Sequence, residues 1–545
     1  MDSVLILGAG LMQKPAILSA KELGYNTIVV DADENAVSIP LCDSFKKIDL
    51  KAKEEILDFA KTKPNLQAVF TAGTDFSASV SFVSEKLGLP SHNYEAALNA
   101  SNKIRMRGCF SSFGVPSPKF TKAEKESVKP VVDFEYPLVV KPCDNMGGRG
   151  CRMVRAENEY EAAVKDAVKN SRSGTAIVEE YMEGPEYSID ALVFDGKFIV
   201  TGFAERHIKY PPYFIEVGHT MPVVLPKKMH DELVSVFALG AKSLGLSCGS
   251  AKADIKYTKN GPMIGEIAAR LSGGYMSGWT YPYASDLNLT KQALLIALGR
   301  KPEELINRSV KIDFTPSEYC KNTCKNIEAP YELFEVPCTR TSAERAWISI
   351  PGIVKKVSGF EELKADKNVI DVLPRATVKE GGKVEFPRNN VSKCGNVISK
   401  AETYEDAVKA AENAVSKMFV NLLPNNFETD KFLNGIFEND EKGFPPSAFE
   451  ISEDDLNEIK NLSGEISENE KFIDYFPEVL KKEEYKNLHD WNYLTLEESV
   501  VRSDEIFEKM GGHKKISVRD FFLSLVRGGV QGAVYKTESG VSDEQ

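Results

Sequence analysis

The amino-acid sequence predicts a multidomain protein that combines α/β and α+β architecture, on three observations. Its 545 residues exceed what one core organises at about 100–200 residues per domain. Its first hundred residues alternate apolar runs with helical stretches in the order of a parallel sheet, whereas strands further along fall into hairpins with helices between them. Its charge is uneven: residues 425–545 hold 14 of the 68 basic and 27 of the 80 acidic side chains, so the whole excess behind the net charge of −12 sits there. The expected division is 1–100, 101–310, 311–424 and an acidic, mainly helical 425–545.

Composition narrows the classes. With 42% hydrophobic and 27% charged residues the chain has material for several cores. No apolar run approaches the roughly 18 residues a membrane helix needs, and Met1-Asp2-Ser3 lacks the basic start of a signal peptide, so a cytoplasmic protein without membrane partners is expected. The acidic balance argues against a nucleic-acid surface. Nine irregularly spaced cysteines read as reduced thiols; Cys320 and Cys324 are close in sequence, but no second pair or nearby histidine completes a zinc site.

In chain order, Ser3 to Leu7 forms a strand that ends at Gly8-Ala9-Gly10, followed by a helix to Leu23, a stop at Gly24 and a second strand ending at Asp31. Gly-x-Gly invites a dinucleotide reading, but the third glycine of that pattern is Gln13, too bulky for the close helix approach, so a tight turn beside a substrate cleft is favoured. Another strand runs from Gln67 to Phe70 before the loop 71–75. Then come a strand through Lys141, the loop Asn145-Met146-Gly147-Gly148-Arg149-Gly150, a helix from Glu159, strands 175–181 and 186–194 around Gly184-Pro185, and a hairpin, 252–257 with 263–267. Strands and a helix (404–420) fill 341–422, and Ser452 caps a helix in the acidic segment.

Asp254 and Glu266 stand on the two arms of that hairpin. A three-residue loop at Lys259, Asn260 and Gly261 sets them opposite each other with Cβ atoms about 5 Å apart, whereas a two-residue Asn-Gly turn puts them on opposite faces. Two such carboxylates hold magnesium on a triphosphate or form an ordinary acidic surface pair, and the pattern alone leaves both open. Lys141 precedes the glycine loop, where its ammonium and the Gly147 and Gly148 amides suit phosphate oxygens; Lys103 adds a second charge before a helix. No P-loop occurs.

Taken together these residues resemble the ATP-grasp superfamily over about residues 1–422, in its biotin-carboxylase and carbamoyl-phosphate-synthase-like branch of carboxylate-amine or carboxylate-thiol ligases. The resemblance implies a pre-ATP-grasp parallel α/β domain, an ATP-grasp fold of two α+β subdomains, a biotin-carboxylase C-terminal-like domain and a helical C-terminal extension. It implies ATP and Mg2+ as cofactors, with Lys103 and Lys141 on the nucleotide phosphates and Gly147 and Gly148 in a mobile loop. It further implies that the Glu179 side chain and the Glu180 and Met182 backbone contact adenine, Glu186 the ribose, and Asp254 and Glu266 the metal. Arg270 matches the arginine that neutralises the transferred phosphoryl, and Arg345 a substrate-facing arginine; Arg270, Lys141 and Arg345 are thus the implied catalytic set. One departure stands out: Ala268 occupies a position where the family often has asparagine, which implies either a weaker second metal site or lost turnover.

The implied reaction is ATP-dependent, ADP-forming ligation, in which a small carboxylate becomes an acyl phosphate and an amine or thiol attacks it. Alternatives are a bicarbonate-phosphorylating enzyme and a non-catalytic ATP-binding regulator. Gly273-Gly274 with Tyr275, Trp279, Tyr281 and Tyr283 reads as a substrate wall or as core aromatics. His219 faces the cleft or is structural, and Glu205-Arg206-His207 is a polar cluster or a solvated edge. Residues 425–545 read as a packing extension without catalytic duty, and a homodimer follows from the family alone.

Overall fold

The computed structural model describes residues 2–127, 133–436 and 443–540. The chain forms two compact units: Met1–Ile208 with Gly218–Ala343 and Lys400–Tyr404, and Lys209–Val217 with Glu344–Ser399 and Glu405–Gln545.

The first unit opens with β1 (Ser3–Leu7), α1 (Lys14–Glu22), β2 (Asn26–Asp31), β3 (Ser44–Lys47), α2 (Lys53–Lys61), β4 (Leu66–Phe70) and α3 (Ser77–Leu87). Every residue of β1 is buried, as an inner parallel strand covered on both faces demands. The sheet is parallel in the order β3-β2-β1-β4. Helices α4 (Tyr94–Ser101) and α5 (Lys103–Phe113) then meet at Asn102, whose side chain caps α5 by accepting from the Ile104 and Arg105 amides.

A second, antiparallel sheet contains β5 (Phe120–Ala123), β6 (Leu138–Pro142), β7 (Arg152–Val154) and β8 (Ala176–Glu180) in the order β5-β8-β6-β7. Helix α6 (Glu157–Asn170) covers it with Tyr160, Ala163, Val164 and Ala167, one face at helical spacing.

The third sheet is built on β9 (Glu186–Phe194) and β10 (Lys197–Lys209), joined by Asp195 and Gly196, both at positive φ, the geometry a two-residue hairpin turn requires. After β11 (Ile215–Met221) and α7 (Lys227–Leu244), β12 (Gly249–Thr258) and β13 (Gly261–Ala268) complete the antiparallel run β13-β12-β9-β10. Phe110 of α5, Phe237 of α7 and Ile264 and Ile267 of β13 share the core beneath it.

In the second unit, Gly352–Ser358 pairs with Lys383–Val384 and Phe419–Leu422, and Val369–Pro374 with Gly395–Ala401. Residues after 424 do not stand apart from it. Phe432, Phe444, Trp491, Phe521 and Phe522 share one hydrophobic cluster with Trp347, Val354, Val397 and Leu422. Ser452 caps the helix Glu453–Lys460 as expected, and the apolar stretch 521–526 lies in the helix Val518–Ser539, which kinks at Gly529. Among the described residues no helix is long and apolar enough to cross a membrane.

Candidate active site

The site lies within the first unit, where α5, the glycine loop and the β12–β13 hairpin meet. Asp254 and Glu266 are direct cross-strand partners. The reason differs from the one the sequence suggested. The ladder closes at Thr258 opposite Gly261, leaving only Lys259 and Asn260 in the loop, and the register shifts between Asp254 and Ile255. That shift is a bulge whose extra residue is Gly265; had the register set by Thr258 and Gly261 run on unbroken, Glu266 would stand opposite Ala253, on the other face from Asp254.

Helix α5 brings two cations to this place from one face, one turn apart. Lys103, 6% exposed, donates to the Asn145 carbonyl of the glycine loop (3.0 Å) and pairs with Glu266 (3.2 Å). Arg107, fully buried, donates to the Gly265 carbonyl (2.6 Å) and pairs with Glu179 (2.8 Å). Lys141 takes the other Glu179 oxygen at 2.6 Å. Burial would raise the Glu179 and Glu266 carboxyls, but the cations outweigh it: Arg107 and Lys141 hold Glu179 low, while Lys103, Lys141, Lys252 and Arg270 hold Glu266 down at about 2. The opposite balance acts on Lys103, where Glu266 and Asp75 outweigh burial and raise it.

Asp254 is flanked by Arg206 (2.9 Å) and by Lys252, which contacts its other oxygen. Arg206 also pairs with Glu186, and Lys256 reaches Glu186 (3.7 Å) and the Met182 carbonyl (3.1 Å). The Glu180 amide is used in the sheet, donating to the Lys119 carbonyl. Arg270 donates to the Leu271 carbonyl (3.1 Å), while its Nε is buried with no acceptor among the described residues. Gly147 and Gly148 sit at φ +72° and +73°, and their amides donate to no protein group among the described residues. Asn145 ties the loop to α6 through the Asn170 carbonyl (2.6 Å).

Two opposed carboxylates with no third acidic or histidine ligand among the described residues suit a magnesium ion that takes its remaining oxygens from phosphates and water, not a cage made by protein alone. Ala268 stands opposite Lys252 in the ladder.

The loop 272–274 follows Arg270. Asp190, buried, accepts from the Ser272 amide (2.9 Å) and hydroxyl (2.8 Å), and burial raises its carboxyl to about 6 against those bonds. Gly73, in the loop after β4, approaches Gly273 so closely that a Cβ there would lie 3.4 Å from its Cα. Asp75 of the same loop pairs with Arg172 at 3.5 Å.

Several residues that the sequence left open between two readings now have a position. Tyr275, Trp279 and Tyr281 are buried, the core alternative, and Tyr281 donates to the Ser188 carbonyl. His219 is buried. Arg206 leaves the solvated edge to join the carboxylates. Arg345 belongs to the second unit, where it donates to Glu412 (3.2 Å) and to the Glu344 carbonyl (3.0 Å), so its guanidinium is engaged there. Arg107, Lys252, Lys256 and Asp190 were not singled out; the spacing of Lys252, Asp254 and Lys256 puts all three on one strand face and was legible.

Residues 134–278 match the ATP-grasp domain family, and residues 346–421 match L-amino acid ligase C-terminal domain 2. The carbamoyl phosphate synthase large chain, C-terminal section, of Methanocaldococcus jannaschii is 24% identical over 307 residues, covering 53% of this chain and 48% of the relative. Carnosine synthase 1 of Gallus gallus is 24% identical over 330 residues, covering 55% and 35%. The chain spans half or less of the length of these curated relatives. Among solved structures, L-amino acid ligase from Bacillus licheniformis shares the fold with a TM-score of 0.64 at 18% identity, covering 78% of this chain and 99% of that one. The ATP-grasp match thus spans the glycine loop, strand β8 and the bulged hairpin, and the match to an L-amino acid ligase C-terminal domain follows it along the chain.

Proposed function

We propose that this protein is an ATP-dependent, ADP-forming ligase that joins a small carboxylate to an amine. The observation that carries the reading is the Asp254–Glu266 pair ringed by Lys103, Lys252 and Arg206, with the Arg270 Nε buried and unbonded nearby in sequence. A carboxylate must approach a triphosphate, and the two anions repel. Lys103, Lys141 and Arg270 lower that repulsion, and the Gly147 and Gly148 amides offer donors to phosphate oxygens. Magnesium held by Asp254 and Glu266 would supply further charge neutralisation. The substrate oxygen bonds to the terminal phosphorus as the bond to ADP breaks; the amine then attacks the acyl carbon, loses a proton and releases phosphate. No side-chain nucleophile is needed.

Amine is preferred over thiol because the C-terminal match is to an amino acid ligase domain and a relative is a carnosine synthase. A bicarbonate-phosphorylating enzyme is the second reading, favoured by the carbamoyl phosphate synthase match. Glu179, Glu180 and Met182 are assigned to adenine and Glu186 to ribose; a cytoplasmic homodimer completes the proposal. The test is phosphate release from ATP, magnesium and pooled amino acids, with bicarbonate alone as a separate arm. Release that requires amino acids and falls at least about a hundredfold in Glu266→Ala and Lys141→Ala is expected. Release on bicarbonate alone selects the second reading, and none in any arm favours the non-catalytic regulator, with Ala268 as its cause.

A further inference from the structure

Arg107 is a full guanidinium sealed in the core of the first unit. It is 0% exposed, and its Nε and Nη1 have no hydrogen-bond acceptor among the described residues. Its Nη2 alone carries both polar contacts, the Gly265 carbonyl at 2.6 Å and Glu179 at 2.8 Å. Glu179, itself 3% exposed, is shared: its second oxygen holds Lys141 at 2.6 Å. One buried carboxylate therefore stands between two cations of different standing. Arg107 is enclosed by protein, while Lys141 is the last residue but one of the strand that leads into the glycine loop and keeps some exposure.

A buried carboxylate attracts whatever cation reaches it, and in a medium of low dielectric that attraction is strong. With Lys141 as the sole counter-charge, Glu179 would claim its ammonium in full and leave little for a phosphate. With Arg107 also present, the carboxylate is already compensated, and part of the Lys141 charge stays available. We propose that Arg107 is a positioning residue that acts through Glu179: it neutralises that carboxylate so that Lys141 remains free to bind nucleotide phosphate. This rests on the ATP-binding reading above and adds to it a residue that touches no substrate. The Gly265 carbonyl fixes the guanidinium in place, because it is the backbone group that the bulge turns out of the ladder.

The test is the MgATP dissociation constant of the full chain by titration calorimetry, for the wild type, Arg107→Met, Glu179→Gln and the double variant. Arg107→Met is expected to weaken binding at least about tenfold, because Lys141 becomes the only partner of Glu179. Adding Glu179→Gln to it is expected to bring binding to the level of Glu179→Gln alone, since no carboxylate then competes for Lys141 and the lost adenine contact is common to both variants. A purely structural arginine predicts that the double variant binds about tenfold more weakly than Glu179→Gln alone, and that result overturns the proposal. If Arg107→Met alone does not fold, the double variant, which leaves no unpaired buried charge, is compared with Glu179→Gln. Equal affinity within about threefold is expected, and a further loss of about tenfold overturns the proposal. A wild type that binds no MgATP overturns the ATP-binding reading itself, a result distinct from any difference among variants.

Discussion

Two glycine-rich turns in the first unit look alike in sequence and differ in chemistry. At Gly8-Ala9-Gly10 the turn is filled from within. The Gln13 side chain lies against Gly8, where a Cβ would come within 2.9 Å of it, and donates to the Ala72 carbonyl at 2.5 Å. The Ala9 amide donates to Asp31 at 2.7 Å, so the acidic residue at the end of β2 is spent on the turn itself. At Asn145 to Gly150 the turn is pinned at its base by Asn145, and it lies next to Lys103 and Lys141. Glycine alone suits either use, and the unspent amides beside two cations are what the proposed phosphate contact needs.

Filling the second loop should have the larger effect. Gly148→Val places a β-branched residue at φ +73°, a conformation that costs about 1–2 kcal/mol for a side chain. MgATP affinity should fall roughly tenfold or more while the melting temperature changes little, because the loop is not part of the core. Unchanged affinity would mean that these amides do not meet phosphate.

Emptying the first loop should do less. Gln13→Gly completes the dinucleotide spacing on paper, yet it removes the bond to Ala72 and leaves that carbonyl buried. A loss of about 1–3 kcal/mol in urea denaturation is expected, with MgATP affinity within about twofold of the wild type and no binding of NAD in its reduced form by dihydronicotinamide fluorescence. Appearance of NAD binding would show that spacing alone suffices and would undo the contrast.

This contrast was legible from the residues, since a bulky side chain in the third position already argued against a dinucleotide. The pairing of Asp254 with Glu266 was legible only by coincidence. The loop is one residue shorter than the expectation assumed, and the compensating bulge falls at Gly265, whose carbonyl accepts from Arg107 on a helix far away in sequence. No local pattern encodes that meeting. The same holds for Arg206, which reads as an edge residue until β9 and β10 pair, and for residues 425–540, whose apolar positions do not announce that their partners are Trp347, Val397 and Leu422. Strand and helix patterns carry the elements; cross-element charge pairing arises only once the elements pack.

The smallest effect separates the loops by pH. The cations around the second loop hold Glu266 at about 2, below the 4.5 of an ordinary glutamate. A folded-state value below the unfolded one contributes stability that is complete above pH 4.5 and is lost as pH falls from 4.5 through 2. A third of the Glu266 side-chain surface is exposed (33%), so solvent screening keeps the contribution under about 1 kcal/mol. Gln13 carries no titratable group, so replacing it leaves the Glu266 limb in place. Urea midpoints at pH 6 and pH 3 should therefore fall further for the wild type than for Glu266→Gln, whereas Gln13→Gly should lose the same increment as the wild type. Equal losses in the wild type and Glu266→Gln would mean that the lysines around the hairpin do not act on Glu266, and the distinction between the two loops would reduce to the shape of their backbones.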